Sequence, residues 1–156
     1  YPFFGDHLRT TLNLSTSQAG LVILAYGVGF GLAGFTDKLT EFIEPRKILV
    51  STLLWSVLVY VGMDHIMTAF ASACFVAIIW GFGNHLIVSL VVQRLSQRSD
   101  SQRGSILGLN SSVTYFGSMV GPLAFGPIYV LLGFGTLTLV AAVCLAAAAL
   151  VSIKSK

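Results

Sequence analysis

Charge is what this sequence has least of. Charged side chains make up 10% of its 156 residues, against roughly 25% in an average soluble domain. A soluble chain of that length must cover its surface with polar groups. At 55% hydrophobic residues and a mean hydropathy of +0.85, this one has too few to do so, and a soluble globular domain is excluded. Cysteine is equally sparse. Cys74 and Cys144 sit far apart inside apolar runs, which excludes a disulfide framework and a closely spaced thiolate metal site. No HExxH motif or similar ligand spacing occurs, so neither a metal nor a cofactor is expected. Nothing near Tyr1 has the charged start and cleavage pattern of a signal peptide. The pI near 9.1 arises from basic residues clustered between apolar runs rather than along one face, which argues against a nucleic-acid partner.

What the sequence has instead is long apolar runs. A helix needs about 20 residues to cross a hydrocarbon core of about 30 Å. Five stretches approach or exceed that length: Ala19 to Thr36, Ile48 to Met63, Ile66 to Val92, Gly104 to Leu132, and Phe134 to Ile153. The expected fold is therefore an all-α polytopic membrane protein with five transmembrane helices over 19–153, preceded by a segment 1–18 and followed by a tail 154–156. The second stretch is short, so its ends are expected to extend into the flanking residues. Five buried soluble helices with no polar faces would leave the protein without a surface.

All fifteen acidic and basic side chains fall outside those runs. Lys38, Arg46 and Lys47 lie in the first connection, Arg94, Arg98 and Arg103 in the third, and Lys154 and Lys156 in the tail; Arg9 alone lies on the other side. Excess Lys and Arg in short loops marks the cytoplasmic face, so the C-terminus is expected in the cytoplasm and the segment before Ala19 outside it, in a plasma (inner) membrane. Tyr1-Pro2-Phe3-Phe4 resembles the end of a further helix that begins upstream. Asp6 to Ser17 reads as an extracytoplasmic turn, with Ser15 or Ser17 placed to cap the next helix.

Two patterns carry a family resemblance. The first connection contains Gly34-Phe35-Thr36-Asp37-Lys38 and then Arg46-Lys47. This resembles the loop signature of the major facilitator superfamily, with Leu39 where a further glycine is usual. The fourth run spaces Gly108, Gly117, Gly121-Pro122 and Phe125-Gly126 in a way similar to the antiporter motif of drug:proton exchangers, Phe125 standing in for a glycine. Arg103-Gly104, with Leu109-Asn110-Ser111-Ser112, is similar to the eleventh helix of sugar- and drug-efflux members, and Trp80-Gly81 to the tenth. The resemblance implies helices eight to twelve, most of the C-terminal half of a transporter; helices two to six of the first half are the alternative. It also implies a small-molecule solute, protons as a possible coupling ion, the lipid bilayer, and a missing N-terminal half as partners.

Helical geometry refines the candidates. At about 100° per residue, Asn110, Thr114, Gly117 and Gly121 share a stripe flanked by Ser111, Tyr115, Ser118 and Pro122, while Leu109, Val113, Phe116 and Val120 form a bulky face. His85 and Asn110 each lie roughly 10–12 Å from a helix end at 1.5 Å per residue, so His85 with Asn84, and Asn110 with Ser111, are expected to share one layer, with Trp80 and Tyr115 nearer the bilayer centre. That layer is either the wall of a solute cavity, with His85 a candidate proton carrier, or interhelical bonding worth about 0.6–2 kcal/mol per contact. Tyr26, Trp80 and Tyr115, with no fixed charge beside them, favour a neutral or amphipathic solute. Gly27, Gly31, Gly34, Gly117 and Gly121 are expected to let helices approach closely, and Pro122 and Pro127 to bend theirs. An intramembrane protease built on Ser111 or Ser112 with His85 lacks a glycine-flanked serine signature, so enzyme activity is not expected. A channel or non-transporting membrane subunit is the remaining rival.

Overall fold

The computed structural model describes residues 2–36, 43–97 and 101–154. Asp37 and Lys38 of the loop motif lie outside the described residues. Helix α1 is Pro2–Thr10, α2 is Thr16–Ala33 with one 3-10 turn, Gly34–Thr36, at its end, α3 is Pro45–Ile66 and α4 is Phe70–Ser96. The run Arg103–Lys154 is helical except at Gly133, where φ 81° and ψ 179° break it into α5 (103–132) and α6 (134–154). Among the described residues there is no strand. Lipid dictates this outcome, because a spanning segment must satisfy its own backbone N–H and C=O groups.

Among the described residues, four helices are long and apolar enough to cross a membrane, with Arg103–Ile153, 51 residues, counted as one. Left straight, that last run would reach about 75 Å at 1.5 Å per residue, more than twice the hydrocarbon thickness. Gly133 has the positive φ that favours glycine, and here the chain turns back. Beyond it Phe134 stacks on α1, and Ser152, near the end of α6, accepts a hydrogen bond from Arg46 Nε of α3 at 3.2 Å. Helix α6 thus runs antiparallel to α3 for the length of both. Arg46, one of the loop-motif residues, also places a guanidinium against carbonyls at a helix C-terminus, where the dipole favours a cation.

Three sequence expectations are corrected. The segment from Asp6 onward is not all turn: α1 continues to Thr10 because Phe4, His7 and Leu8, at helical spacing, are all buried on one face. Helix α4 begins at Phe70 rather than Ile66. The Ser72 hydroxyl accepts the N–H groups of Thr68 and Ala69, both at 3.1 Å, and holds that connection out of the helix. Ser15 does cap α2, accepting from Gln18 N at 3.2 Å while its own N–H donates to Gln18 Oε1 at 2.9 Å, the reciprocal capping box.

The third correction concerns the glycines. A Cβ placed on Gly27, Gly31, Gly117 or Gly121 would meet nothing within 4 Å, and on Gly34 only ordinary contact with His85. The close approach is made by others. A Cβ on Gly29 would collide with the backbone carbonyl of Ile78, and one on Gly81 with the backbone carbonyl of Tyr26. Helices α2 and α4 therefore cross backbone to backbone, each inserting a glycine beneath the other. Gly83 repeats the device toward α3, where a Cβ would lie 2.8 Å from the Trp55 ring. Large apolar side chains such as Leu58, Phe75, Leu123 and Val143 face outward, 62–75% exposed, as lipid-facing groups do.

A matched pair tests the crossing. Gly29→Ala should lower the melting temperature of the full-length protein in detergent, by a destabilisation of about 1–3 kcal/mol or more from overpacking against backbone. Gly27→Ala, two residues away in open space, should leave it within about 0.5 kcal/mol. Equal melting of the two variants would refute the backbone contact.

Candidate functional site

The α2–α4 crossing aligns a set of polar aromatic side chains. Tyr26, three residues before Gly29, lies with its ring 4.8 Å from that of Trp80, and its hydroxyl accepts Asn84 Nδ2 at 3.0 Å. On the other side of Trp80, the indole Nε1 donates to Tyr60 Oη of α3 at 3.0 Å, and Phe4 of α1 meets the indole edge-on at 5.2 Å. Trp80 is 5% exposed. Burying an indole is favourable only when its N–H is bonded, and Tyr60 provides the acceptor. Helices α1, α2, α3 and α4 all meet at this one side chain.

Beyond Trp80 and Tyr60 opens a cavity of about 680 Å³ whose far wall is α5 and α6. Thr114, Gly117, Ser118, Gly121 and Pro122 of α5 line it, facing Leu137, Thr138 and Ala141 of α6. Leu109, Val113 and Phe116 point away, each more than 60% exposed. The stripe of small and hydroxyl residues thus faces inward because α5 leaves a gap there instead of packing against a neighbour. The hydroxyls are internally occupied as donors: Thr114 donates to Asn110 O, Ser118 to Thr114 O and Ser112 to Gly108 O, each at 2.9 Å. Their oxygens remain able to accept from a guest. Of the packing-motif glycines, Gly126 alone is near another helix, with Phe3 at 3.8 Å from a Cβ built there; Gly108 meets nothing.

Of the residues expected to share one layer, none of Asn84, His85, Asn110 and Ser111 lines the cavity. Asn84 turns to Tyr26 on α2, and His85 packs edge-on against Phe30 of α2 at 4.8 Å and beside Gly34. Ser111 is exposed and Tyr115 is 76% exposed, on the side of α5 away from the cavity. The structure brings Tyr26, Trp80 and Asn84 together, adds Thr114 across the cavity, and leaves Ser111 and Tyr115 outside. The reason is one of rotation: sequence spacing gives depth along a helix, but which way α4 and α5 face depends on the crossing at Gly81.

Three participants escaped the sequence reading. Tyr60 lies in a run that is apolar around most of its circumference. His7 and Asp64 lie outside the apolar runs, yet His7 is 3% exposed and its Nε2 lies 3.8 Å from Asp64 Oδ1. Burial pulls the His7 imidazole below its ordinary value, and the carboxylates of Asp64 and then Asp6 only partly oppose this. The spacing of Phe4, His7 and Leu8 was the available signal.

The polar pair in this cluster can be measured. A double-mutant cycle of Tyr26→Phe and Asn84→Ala should show coupling of about 0.6–1.7 kcal/mol, the range for bonds between membrane helices. The cycle of Tyr26→Phe with Asn110→Ala should show none. Coupling in the second cycle and not the first would reverse the assignment of Asn84 to α2.

Comparison with known proteins agrees with this architecture. The family profile of the Major Facilitator Superfamily matches residues 1–154. The uncharacterized MFS-type transporter YwfA of Bacillus subtilis (strain 168) is 28% identical over 143 residues, covering 91% of this chain and 34% of its own length. The chain thus spans about a third of that relative. No solved structure matches. With helices of membrane-crossing length, glycine-mediated crossings and a family profile that covers nearly every residue, the chain belongs to the major facilitator superfamily of membrane transporters.

Proposed function

We propose that this chain is the C-terminal part of a secondary transporter: the end of helix seven followed by helices eight to twelve, five of them crossing the membrane. The whole protein carries a small neutral or amphipathic solute outward by alternating access, in exchange for protons. The observation that carries the reading is the cavity, whose size of about 680 Å³ falls in the range of small-molecule sites. Its aromatic side is Trp80 and Tyr60; its opposite wall is the small and hydroxyl stripe of α5. An apolar pocket with a few hydrogen-bonding groups and no charge among the residues that line it suits a solute with little charge of its own. Alternating access requires a site that two halves can expose in turn, and a wall of Gly117 and Gly121 that touches no helix leaves room for that rearrangement.

The orientation belongs to the same proposal. Eight of the nine basic residues of the sequence fall in or beside the first and third connections and the tail, and that asymmetry supports a cytoplasmic location for that end. In whole cells expressing the full-length protein, Thr68→Cys should react with an impermeant thiol reagent and Gln102→Cys only after permeabilisation. The opposite pattern would invert the topology.

Transport itself is tested with the full-length protein in liposomes preloaded with candidate neutral and amphipathic solutes. Saturable counterflow, with Trp80→Ala raising the half-saturation concentration about tenfold (about 1.4 kcal/mol), is the expected result. Non-saturable flux would indicate a channel. Counterflow insensitive to an imposed pH gradient would remove proton exchange from the proposal while leaving the carrier.

A further inference from the structure

At the end of the bundle away from the 97–102 connection, four elements meet around one histidine. His7 of α1 is buried to 3% exposure, and its Nε2 has no hydrogen-bond partner. The ring lies flat on Phe134, the first residue of α6, with centroids 4.0 Å apart and planes 15° from parallel. Across from Nε2, at 3.8 Å, stands Asp64 Oδ1 at the end of α3, too far for a hydrogen bond and close enough for a charge to be felt. Asp64 reaches this position only because residue 135 is glycine: its Oδ2 would lie 2.5 Å from a Cβ there. One residue back along α1, Asp6 accepts the Tyr129 hydroxyl at 2.5 Å, and Tyr129 belongs to the last turns of α5. Adjacent residues of α1 therefore grip both arms of the hairpin, Asp6 holding α5 and His7 holding α6, on either side of the break at Gly133.

We propose that His7 and Asp64 form a proton-binding site that latches this hairpin: the latch is closed while the buried imidazole is neutral, and binding of a proton at Nε2 releases α1 from the α5–α6 turn. Two features of the geometry set the direction. A neutral imidazole suits a slot made of Phe134 and the apolar cluster of Phe4, Leu8, Met63 and Met67, and stacking needs no charge. A protonated ring in that slot is poorly solvated, and Asp64, the carboxylate facing Nε2 among the described residues, is itself partly open, with its side chain 35% exposed, so water weakens its compensation. The remaining groups do not alter the sign. Asp6 is engaged by Tyr129, Arg9 and His65 are exposed, α2 presents Ala19, Val22 and Ile23 to α1, and α4 presents Ala73, Ala77 and Trp80. A histidine that binds its proton more weakly packed than open contributes stability to the packed arrangement above its open-state value of about 6.5 and loses that contribution as pH falls through it. Acid opens the latch. The inference does not rest on the direction or coupling of transport.

The test uses the full-length protein in lipid nanodiscs, other cysteines replaced, with spin labels at Thr10→Cys of α1 and Thr136→Cys of α6. Thr10 is exposed and Thr136 is half-buried. Pulsed electron resonance should report one short distance at pH 8 and a longer one appearing on acidification, with a midpoint below about 6.5. His7→Phe, which retains the stack on Phe134 and cannot titrate, should hold the short distance at every pH. Asp64→Asn should move the midpoint up toward about 6.5, because it removes the charge that partly compensates the imidazolium in the packed arrangement and so widens the difference in proton affinity that drives release. A wild-type distance indifferent to pH, a transition that survives in His7→Phe, or a midpoint lowered by Asp64→Asn would each overturn the proposal. Absence of saturable counterflow by the wild-type protein, with the acid-dependent distance change intact, would count against the carrier reading alone.

Discussion

Two backbones in contact organise this molecule. Where α2 and α4 cross, Gly29 sits under Ile78 and Gly81 under Tyr26, with no side chain between. Lipid offers no hydrophobic force to drive such an approach, since hydrocarbon tails are as apolar as leucine; packing and local polar contacts must do it. Once the axes are that close, the residues flanking the glycines have their directions set. Tyr26 is brought to Asn84 and to the Trp80 ring, and Trp80 is turned so that its N–H reaches Tyr60 of α3. The fixed position of Trp80 in turn defines one wall of the cavity, and α3, held by Tyr60 and by Gly83 beneath Trp55, carries α6 alongside it.

Against this tightly packed trio, α5 is loosely held. It touches the rest chiefly through Phe3 and Asp6 of α1 near its end, and the small residues along its inner stripe border open volume. The physical consequence is a division within one chain between a closely packed scaffold, α2 to α4 with α6, and an arm whose inner face borders the cavity. The hairpin break at Gly133, clasped by Asp6 and His7, is where the two regimes join.

Much of the fold was legible in the residues. Apolar length and the exclusion of charge from the long runs lead directly to membrane-crossing helices, because the cost of an unpaired backbone group in hydrocarbon leaves no other local structure. The Ser15 cap could be read from its spacing to Gln18, and the inward face of α5 from its stripe of Thr114, Gly117 and Gly121. The glycines that mattered could not be chosen: Gly27 and Gly31 look like a packing face no less than Gly29 does, and only the crossing angle decides which one lies at the contact. The same rotation moved Asn84 and His85 to the α2 side and left Tyr115 and Ser111 outside the cavity.

Sequence by itself determined that the chain is a helical membrane protein, where most of its apolar runs lie, and which face of α5 is polar, since these follow from composition and from the fixed geometry of a helix. Tertiary structure alone decided which side chains meet. Tyr60 with Trp80, Tyr26 with Asn84, and His7 with Asp64 are separated by 20, 58 and 57 positions, and each pair depends on the rotation of two helices about their axes. No local pattern encodes that rotation. It is set where backbones touch, at Gly29 and Gly81, and where one glycine at 133 lets a single helical run turn back on itself.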